Sequence, residues 1–213
     1  MIDDMKDRWL QAWHDRSWRH AFILALMAAL PVVAMLPLFF QYLEQKPGMR
    51  IEDPLLKLIG PVDVSALTFT TLYALILAGI LFLGRSPYRL LQLLHAYVVL
   101  LLLRMCTMHL LTLEPPETII PLVDPITQVF YPEERPFLKD LFFSGHTATL
   151  VLFALAVQGP LRTLMAMGAT LMAFLVLIQH VHYTVDVLVA PLFAVLAWIL
   201  GGWSLNILGV RRV

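Results

Sequence analysis

"TLMAMGATLMAFLVLIQHVHYTVDVLVAPLFAVLAWIL", residues 163–200, consists of two long apolar runs parted by a short polar interruption. A helix needs roughly 20 apolar residues to cross a hydrocarbon core about 30 Å thick. The run that ends near residue 181 and the run that starts at 184 each approach that length. The interruption therefore reads as the end of one membrane crossing and the start of the next. Within it stand His180, His182 and Asp186. Ionisable groups at such a place are costly to insert, and their default reading is functional.

Working outward, four further apolar runs appear at about 21–43, 64–84, 88–112 and 141–159, in addition to 161–181 and 184–202. The predicted fold is all-α: a polytopic membrane protein with six transmembrane helices in one bundle. Composition agrees, since 60% of the 213 residues are hydrophobic and 14% charged, against about 45–50% and 25% in soluble domains. Residues 1–20 read as an interfacial amphipathic segment, 21–205 as the six-helix catalytic domain and 206–213 as a short cytoplasmic tail. The first twenty residues are too polar for a cleavable signal peptide. Ile2, Met5, Trp9 and Trp13 recur there at helical spacing, which predicts a helix lying in the interface with its indoles at headgroup level. Pro31 and Pro37 fall inside the first span and should kink it locally.

Fifteen basic and fifteen acidic residues cancel, and no basic block is present, so nucleic acid is set aside as a partner. Cys106 is the single cysteine, which excludes an intramolecular disulfide and a thiolate metal cluster. Two connections are long, 44–63 and 113–140. The second holds six of the fourteen prolines with Glu114, Glu117, Asp124, Glu133, Glu134, Arg135, Lys139 and Asp140, and loops of that length are usually functional. Short cytoplasmic segments carry an excess of Lys and Arg. With both termini inside, Lys6, Arg8, Arg16, Arg19, Arg85, Arg89, Arg162, Arg211 and Arg212 are cytoplasmic. Lys46, Arg50, Lys57, Arg135 and Lys139 fall on the longer loops opposite.

Counting helices brings four polar groups to one depth on the non-cytoplasmic face. His146 opens the fourth span, His182 and Asp186 join the fifth to the sixth, and Arg104 lies about two turns from the outer end of the third. His182 and Asp186 are four apart, so on a helix they share a face. A carboxylate that accepts the Nδ1 proton of an imidazole leaves Nε2 as nucleophile or base. His146 can protonate a leaving group, a role that contributes about 10² to 10⁴ in rate. Arg104 offers a planar fork of donors that matches phosphate oxygens. Together these residues describe phosphoryl chemistry. Simpler readings exist: His95 and His109 as packing residues, Arg104 snorkelling to the interface, and Gly145 as a point of close helix approach. A zinc site on His146, His182 and Asp186 is also admissible. A proton-relaying transporter would place its polar groups near mid-membrane, whereas here they sit at helix ends. His180, two positions from His182, lies on the wrong helical face for joint catalysis and is expected to make a supporting hydrogen bond.

"LFFSGHTATL" at 141–150 and "HVHYTVDVLVA" at 180–190 resemble the two signature motifs of the sphingomyelin synthase branch of the type 2 phosphatidic acid phosphatase superfamily. "RMCTMHLLTLEPP" at 104–116 is similar to the same branch's R-x-x-T-M-x-x-T-x-L-x-P segment, through Arg104, Thr107, Met108, Thr112, Leu113 and Pro115. "RIEDPLLKL" at 50–58 is loosely similar to its proline-rich loop. The resemblance implies a phospholipid headgroup phosphotransferase with His146, His182 and Asp186 as catalytic triad and no cofactor. His182 would form a phosphohistidine and release diacylglycerol, and a lipid alcohol such as ceramide would accept the headgroup phosphate. Asp140 occupies the family's acidic position six before the first catalytic histidine and is expected to assist proton handling. Ser144, Gly145 and Tyr183 of the motifs join Arg104 as candidates to hold substrate. "FLKDLFF" departs from the C-G-D-Y of animal members, and Glu117 or Glu133 could replace a further acidic group, so headgroup and acceptor stay open. The alternative is hydrolysis with the same triad. Phosphatases of the wider superfamily usually show K-x6-R-P and S-R-x5-H-x3-D. Here Arg135 and Pro136 lack the lysine and Gln179 stands near the second histidine, which favours transfer.

Overall fold

A computed structural model of the chain describes residues 2–122 and 137–211, with side chains from residue 5 onward. Asp124, Glu133, Glu134, Arg135, Pro136 and Arg212 lie outside the described residues, as does the side chain of Ile2.

The elements in chain order are α1 (Ile2–His14), α2 (Arg16–Gln45), α3 (Pro54–Leu58), α4 (Ser65–Leu83), α5 (Pro87–Leu110), α6 (Gly145–Ala156), α7 (Pro160–Ile178) and α8 (Thr184–Ile207). Among the described residues there is no strand, only an isolated bridge between Met49 and Leu113. Five helices, α2, α4, α5, α7 and α8, are long and apolar enough to cross a membrane, and α6 is a shorter apolar helix. The chain is an all-α membrane bundle.

Helix starts follow local chemistry. Asp15 caps α2 by accepting from Ser17 N at 2.8 Å, while Pro87 and Pro160 sit in the first turns of α5 and α7, where a missing N–H costs nothing. At 30 residues, about 45 Å long, α2 exceeds the hydrocarbon thickness and runs as one helix through Pro31 and Pro37. Central α5 packs against α2, α6 and most extensively α8. Gly201 permits that last crossing, because a Cβ there would lie 2.7 Å from the backbone N of Ala96.

The fourth span differs from expectation. In place of 141–159, the helix covers only Gly145–Ala156, roughly 18 Å, and the chain before it is non-helical although Leu141, Phe143 and Ser144 are buried. Irregular backbone at such depth survives only where protein partners satisfy it. Here the N–H groups of Leu138 and Lys139 donate to Glu44 at 2.7 Å. The Thr107 hydroxyl reaches Phe142 O at 3.2 Å, Arg104 donates to Phe143 O and Ser144 N donates to Asp186 O at 3.1 Å.

The N-terminal helix α1 docks on α2 and α5. The Trp9 indole donates to Gly84 O at 2.6 Å and packs edge-on against Trp18, so this indole is turned to protein. Trp13, half exposed, is the one that faces outward. Trp18, Leu91, Leu205 and Val210 form a cluster with Trp9 and Tyr88, which gathers both chain ends and the α4–α5 turn at one end of the bundle. The 44–63 connection and the described parts of 113–140 gather at the other.

Candidate active site

Two turns build the site. Between α7 and α8 the chain reverses over Gln179–Tyr183, with His180 at φ 58, a left-handed conformation rare outside glycine. Hydrogen bonds hold it there: His180 Nε2 donates to Ile59 O at 2.8 Å and Thr118 donates to its Nδ1. Gln179, fully buried, accepts from Val64 N at 3.2 Å and donates to Ser65 Oγ at 2.7 Å. His180 thus anchors a turn and does not face the same space as His182.

Past that turn, His182 Nδ1 lies 3.3 Å from Asp186 Oδ2, both side chains almost wholly buried. The same oxygen accepts from Tyr183 N at 3.1 Å. Asp186 also sits in the first turn of α8, where the helix dipole favours its negative charge. This arrangement puts the imidazole proton on Nδ1 and leaves the Nε2 lone pair available.

The second turn opens α6. Ser144 caps that helix, accepting from Thr147 N at 3.4 Å, and its own N–H reaches Asp186 O, so the two histidine motifs are bonded back to back. His146, partly exposed, follows. Its ring centroid is 6.5 Å from that of His182 and 6.2 Å from Phe69. Arg104 is buried beside it, donating to Asp140 and to Phe143 O, with its guanidinium 5.6 Å over the Phe143 ring. Phe143 is itself stacked on Phe193 at 4.2 Å.

The structure therefore brings Arg104, Asp140, Gly145, His146, His182 and Asp186 together at the end of the bundle away from the termini. Ser144 and Tyr183 support the frame: Ser144 Oγ donates to Thr147 Oγ1 at 3.1 Å, and the buried Tyr183 hydroxyl donates to Glu114 O at 2.9 Å. Glu117 is exposed and pairs with Arg50 at 2.7 Å. His95 bonds Ser204 at 2.9 Å and Ala21 O at 3.0 Å, and His109 stacks on Tyr42. Among the described residues no three His, Cys, Asp or Glu side chains converge as a metal-ligand group, so His146, His182 and Asp186 do not assemble the admissible zinc set.

Sequence reasoning missed Glu44, Gln179 and above all Asp53. Asp53 Oδ1 caps α3 by accepting from Leu55 N at 3.0 Å and Leu56 N at 3.3 Å. Its second oxygen accepts from Thr184 N at 2.6 Å, and the Thr184 hydroxyl donates to Oδ1 at 3.0 Å. Burial opposes ionisation of Asp53, but the bonds from Thr184, Leu56 and Leu55 outweigh it and hold the carboxyl below the ordinary aspartate value. The Asp-Pro pair was a legible cap signal; its second partner, far along the chain, was not. Glu114 is likewise held low by its bond from Lys139, against burial, with help from Gly48 N.

Residues 139–202 match the family model described as PAP2 superfamily C-terminal. The matched stretch contains Asp140, His146, His182 and Asp186. It supports the type 2 phosphatidic acid phosphatase superfamily without singling out the sphingomyelin synthase branch, and members of that superfamily are generally phosphatases or phosphotransferases acting on lipids. No curated protein matches the chain.

Proposed function

We propose that this chain is a membrane phospholipid headgroup phosphotransferase that moves a phosphoryl alcohol from a glycerophospholipid to ceramide or another lipid alcohol. The observation that carries the reading is the buried His182–Asp186 pair with His146 beside it. His182 Nε2 attacks phosphorus, the bond from phosphorus to the diacylglycerol oxygen breaks, and His146 gives that oxygen a proton. The acceptor hydroxyl then attacks the phosphohistidine, its proton passes to His146, and the P–N bond breaks. Arg104, permanently charged and steered by Asp140 and Phe143 O, faces the phosphate oxygens, so Asp140 acts through Arg104 as well as on protons.

A lipid substrate is also supported by a groove of about 560 Å³ between α6, α7 and α8. Leu55, Thr147 and Thr184 line one end, beside the motif residues, and Arg162 the other. Along α7, from Arg162 to Leu177, it extends roughly 22 Å, more than one leaflet of a core about 30 Å thick, which suits an acyl chain. The termini are assigned to the cytoplasm and the site to the opposite face.

The test is a labelled-lipid assay on purified protein in nanodiscs, with phosphatidylcholine or phosphatidylethanolamine as donor, with and without ceramide. Diacylglycerol and a headgroup-bearing ceramide are expected together, and both should vanish in His182→Ala. Diacylglycerol without an acceptor product would replace transfer by hydrolysis. No headgroup release from either donor would overturn the reading for these lipids.

A further inference from the structure

The connection between α2 and α4 is bonded along its length to the segment that follows α5 and to the turn between α7 and α8 that carries His180 and His182. Met49 exchanges backbone bonds with Thr112 and Glu114 at 2.9 and 3.0 Å, and Val62 N donates to Ile178 O at 3.0 Å. His180 is fastened to Ile59 O. At its centre Asp53, 9% exposed, holds Thr184, the residue midway between His182 and Asp186.

From this geometry we infer that Asp53 is a positioning residue: through Thr184 it fixes the first turn of α8 and thereby the His182–Asp186 pair. The inference rests on the phosphohistidine reading for its consequence in turnover, though not for its structural content. Its physical basis is a count of acceptors. Four donors converge on the two carboxylate oxygens: the N–H groups of Leu55, Leu56 and Thr184 and the Thr184 hydroxyl. The Thr184 N–H lies in the first turn of α8, where no intrahelical acceptor exists. An external carboxylate therefore satisfies it and sets the angle at which the helix leaves the turn. Leu56, on the short helix that Asp53 caps, packs in one cluster with Tyr183 and Val187, the residues that directly follow His182 and Asp186 in sequence. Asp53 thus adds direction to a contact that apolar packing alone would leave free to slide. An asparagine has one acceptor oxygen and an amide that donates. In either orientation it sets its NH₂ against backbone N–H groups, so Asp53→Asn keeps the volume and breaks the register.

The experiment uses the full chain in nanodiscs, ¹⁵N-labelled at histidine, in wild-type, Asp53→Asn, Thr184→Val and Thr184→Ser forms. The His182 imidazole signals are identified by their loss in His182→Ala. Asp53→Asn is expected to shift or broaden them and to lower kcat for headgroup release from phosphatidylcholine or phosphatidylethanolamine by about 10- to 100-fold, the scale of a sub-ångström to ångström misplacement. KM should stay within about twofold, because Asp53 is assigned no contact with substrate. Thr184→Ser, which keeps the hydroxyl, should leave the His182 signals in place; Thr184→Val should show a smaller version of the Asp53→Asn shift in those signals and carries the test if Asp53→Asn fails to fold. Unchanged His182 signals in Asp53→Asn, or in Thr184→Val in its place, would overturn the inference. Absence of wild-type turnover would sink the transferase reading alone, since the imidazole signals still decide the positioning.

Discussion

At Gly145 a single missing side chain makes room for a charge. A Cβ there would lie 2.7 Å from Cζ and Nη1 of Arg104 and 3.1 Å from its Nε, and the buried guanidinium has little freedom to retreat because Asp140 and Phe143 O hold it. Gly145 opens α6 with no need for positive φ, so alanine carries no backbone penalty and favours the helix. Gly145→Ala should nonetheless lower the melting temperature, because the added methyl strains the buried Arg104 and its bonds to Asp140 and Phe143 O, and turnover should fall on the order of 10²-fold as Arg104 is pushed off the phosphate it is proposed to hold. Thermal unfolding and lipid turnover on the same preparation check this, and full activity would show that the position of Arg104 does not matter. The sequence made the glycine legible as a site of close approach, but helix-to-helix contact was the natural expectation. A buried arginine from another span left no signal in the local pattern. His182 and Asp186 were readable for the opposite reason, because their partnership lies within one helical turn.

Among the elements, the spans were legible and the connections were not. A run of apolar residues specifies a membrane helix almost alone, which is why α4, α5, α7 and α8 fall close to their expected bounds. The shortened α6 escaped because hydropathy cannot distinguish a helix from buried extended chain whose carbonyls and amides find partners elsewhere, here Glu44, Thr107, Arg104 and Asp186. The α2–α4 connection escaped because its order depends on single carboxylates meeting distant amides. That dependence has a pH consequence. The carboxyls of Asp53 and Glu114 both titrate lower in the fold than their ordinary values of 3.8 and 4.5. A depressed folded pKa means the unfolded chain binds more protons, so stability rises with pH. The contribution is whole above those ordinary values and is lost as pH falls through the lower, folded ones. Protection factors of the amides in 48–56 and at Thr184, taken relative to intrinsic exchange at each pH, should therefore be high at pH 6 and fall below about pH 4, earlier than those of the helix interiors. In Asp53→Asn, where no carboxylate remains to titrate, protection at Leu55, Leu56 and Thr184 should be lost already at pH 6. Protection factors at these amides that stay constant between pH 6 and 3 would count against the carboxylates as the fastening.

For the whole molecule, the bundle has two chemically unlike ends, and the difference predicts its orientation. The end that gathers the termini carries Lys6, Arg8, Arg16, Arg19, Arg85, Arg89, Arg162 and Arg211 on short segments. The opposite end holds the candidate site, and the described cations there are largely bound to acids or carbonyls. Lys139 lies 2.7 Å from Glu114, Arg50 2.7 Å from Glu117 and Lys57 2.8 Å from Glu52. Insertion is biased by Lys and Arg near the ends of spans and retains them on the cytoplasmic side. With that orientation, the proposed phosphoryl-transfer site would work on lipids of the non-cytoplasmic leaflet, His182 lying near the interface and the apolar groove running inward. Cys106 is exposed on α5, so the test starts from Cys106→Ala and adds one cysteine at a time, at Lys57 for the site end and at Arg85 for the terminal end. In sealed right-side-out vesicles a membrane-impermeant maleimide should label the Lys57→Cys protein at once and the Arg85→Cys protein only after permeabilisation. The reverse pattern would place the histidines on the cytoplasmic leaflet, and the donor lipids would then have to be sought there.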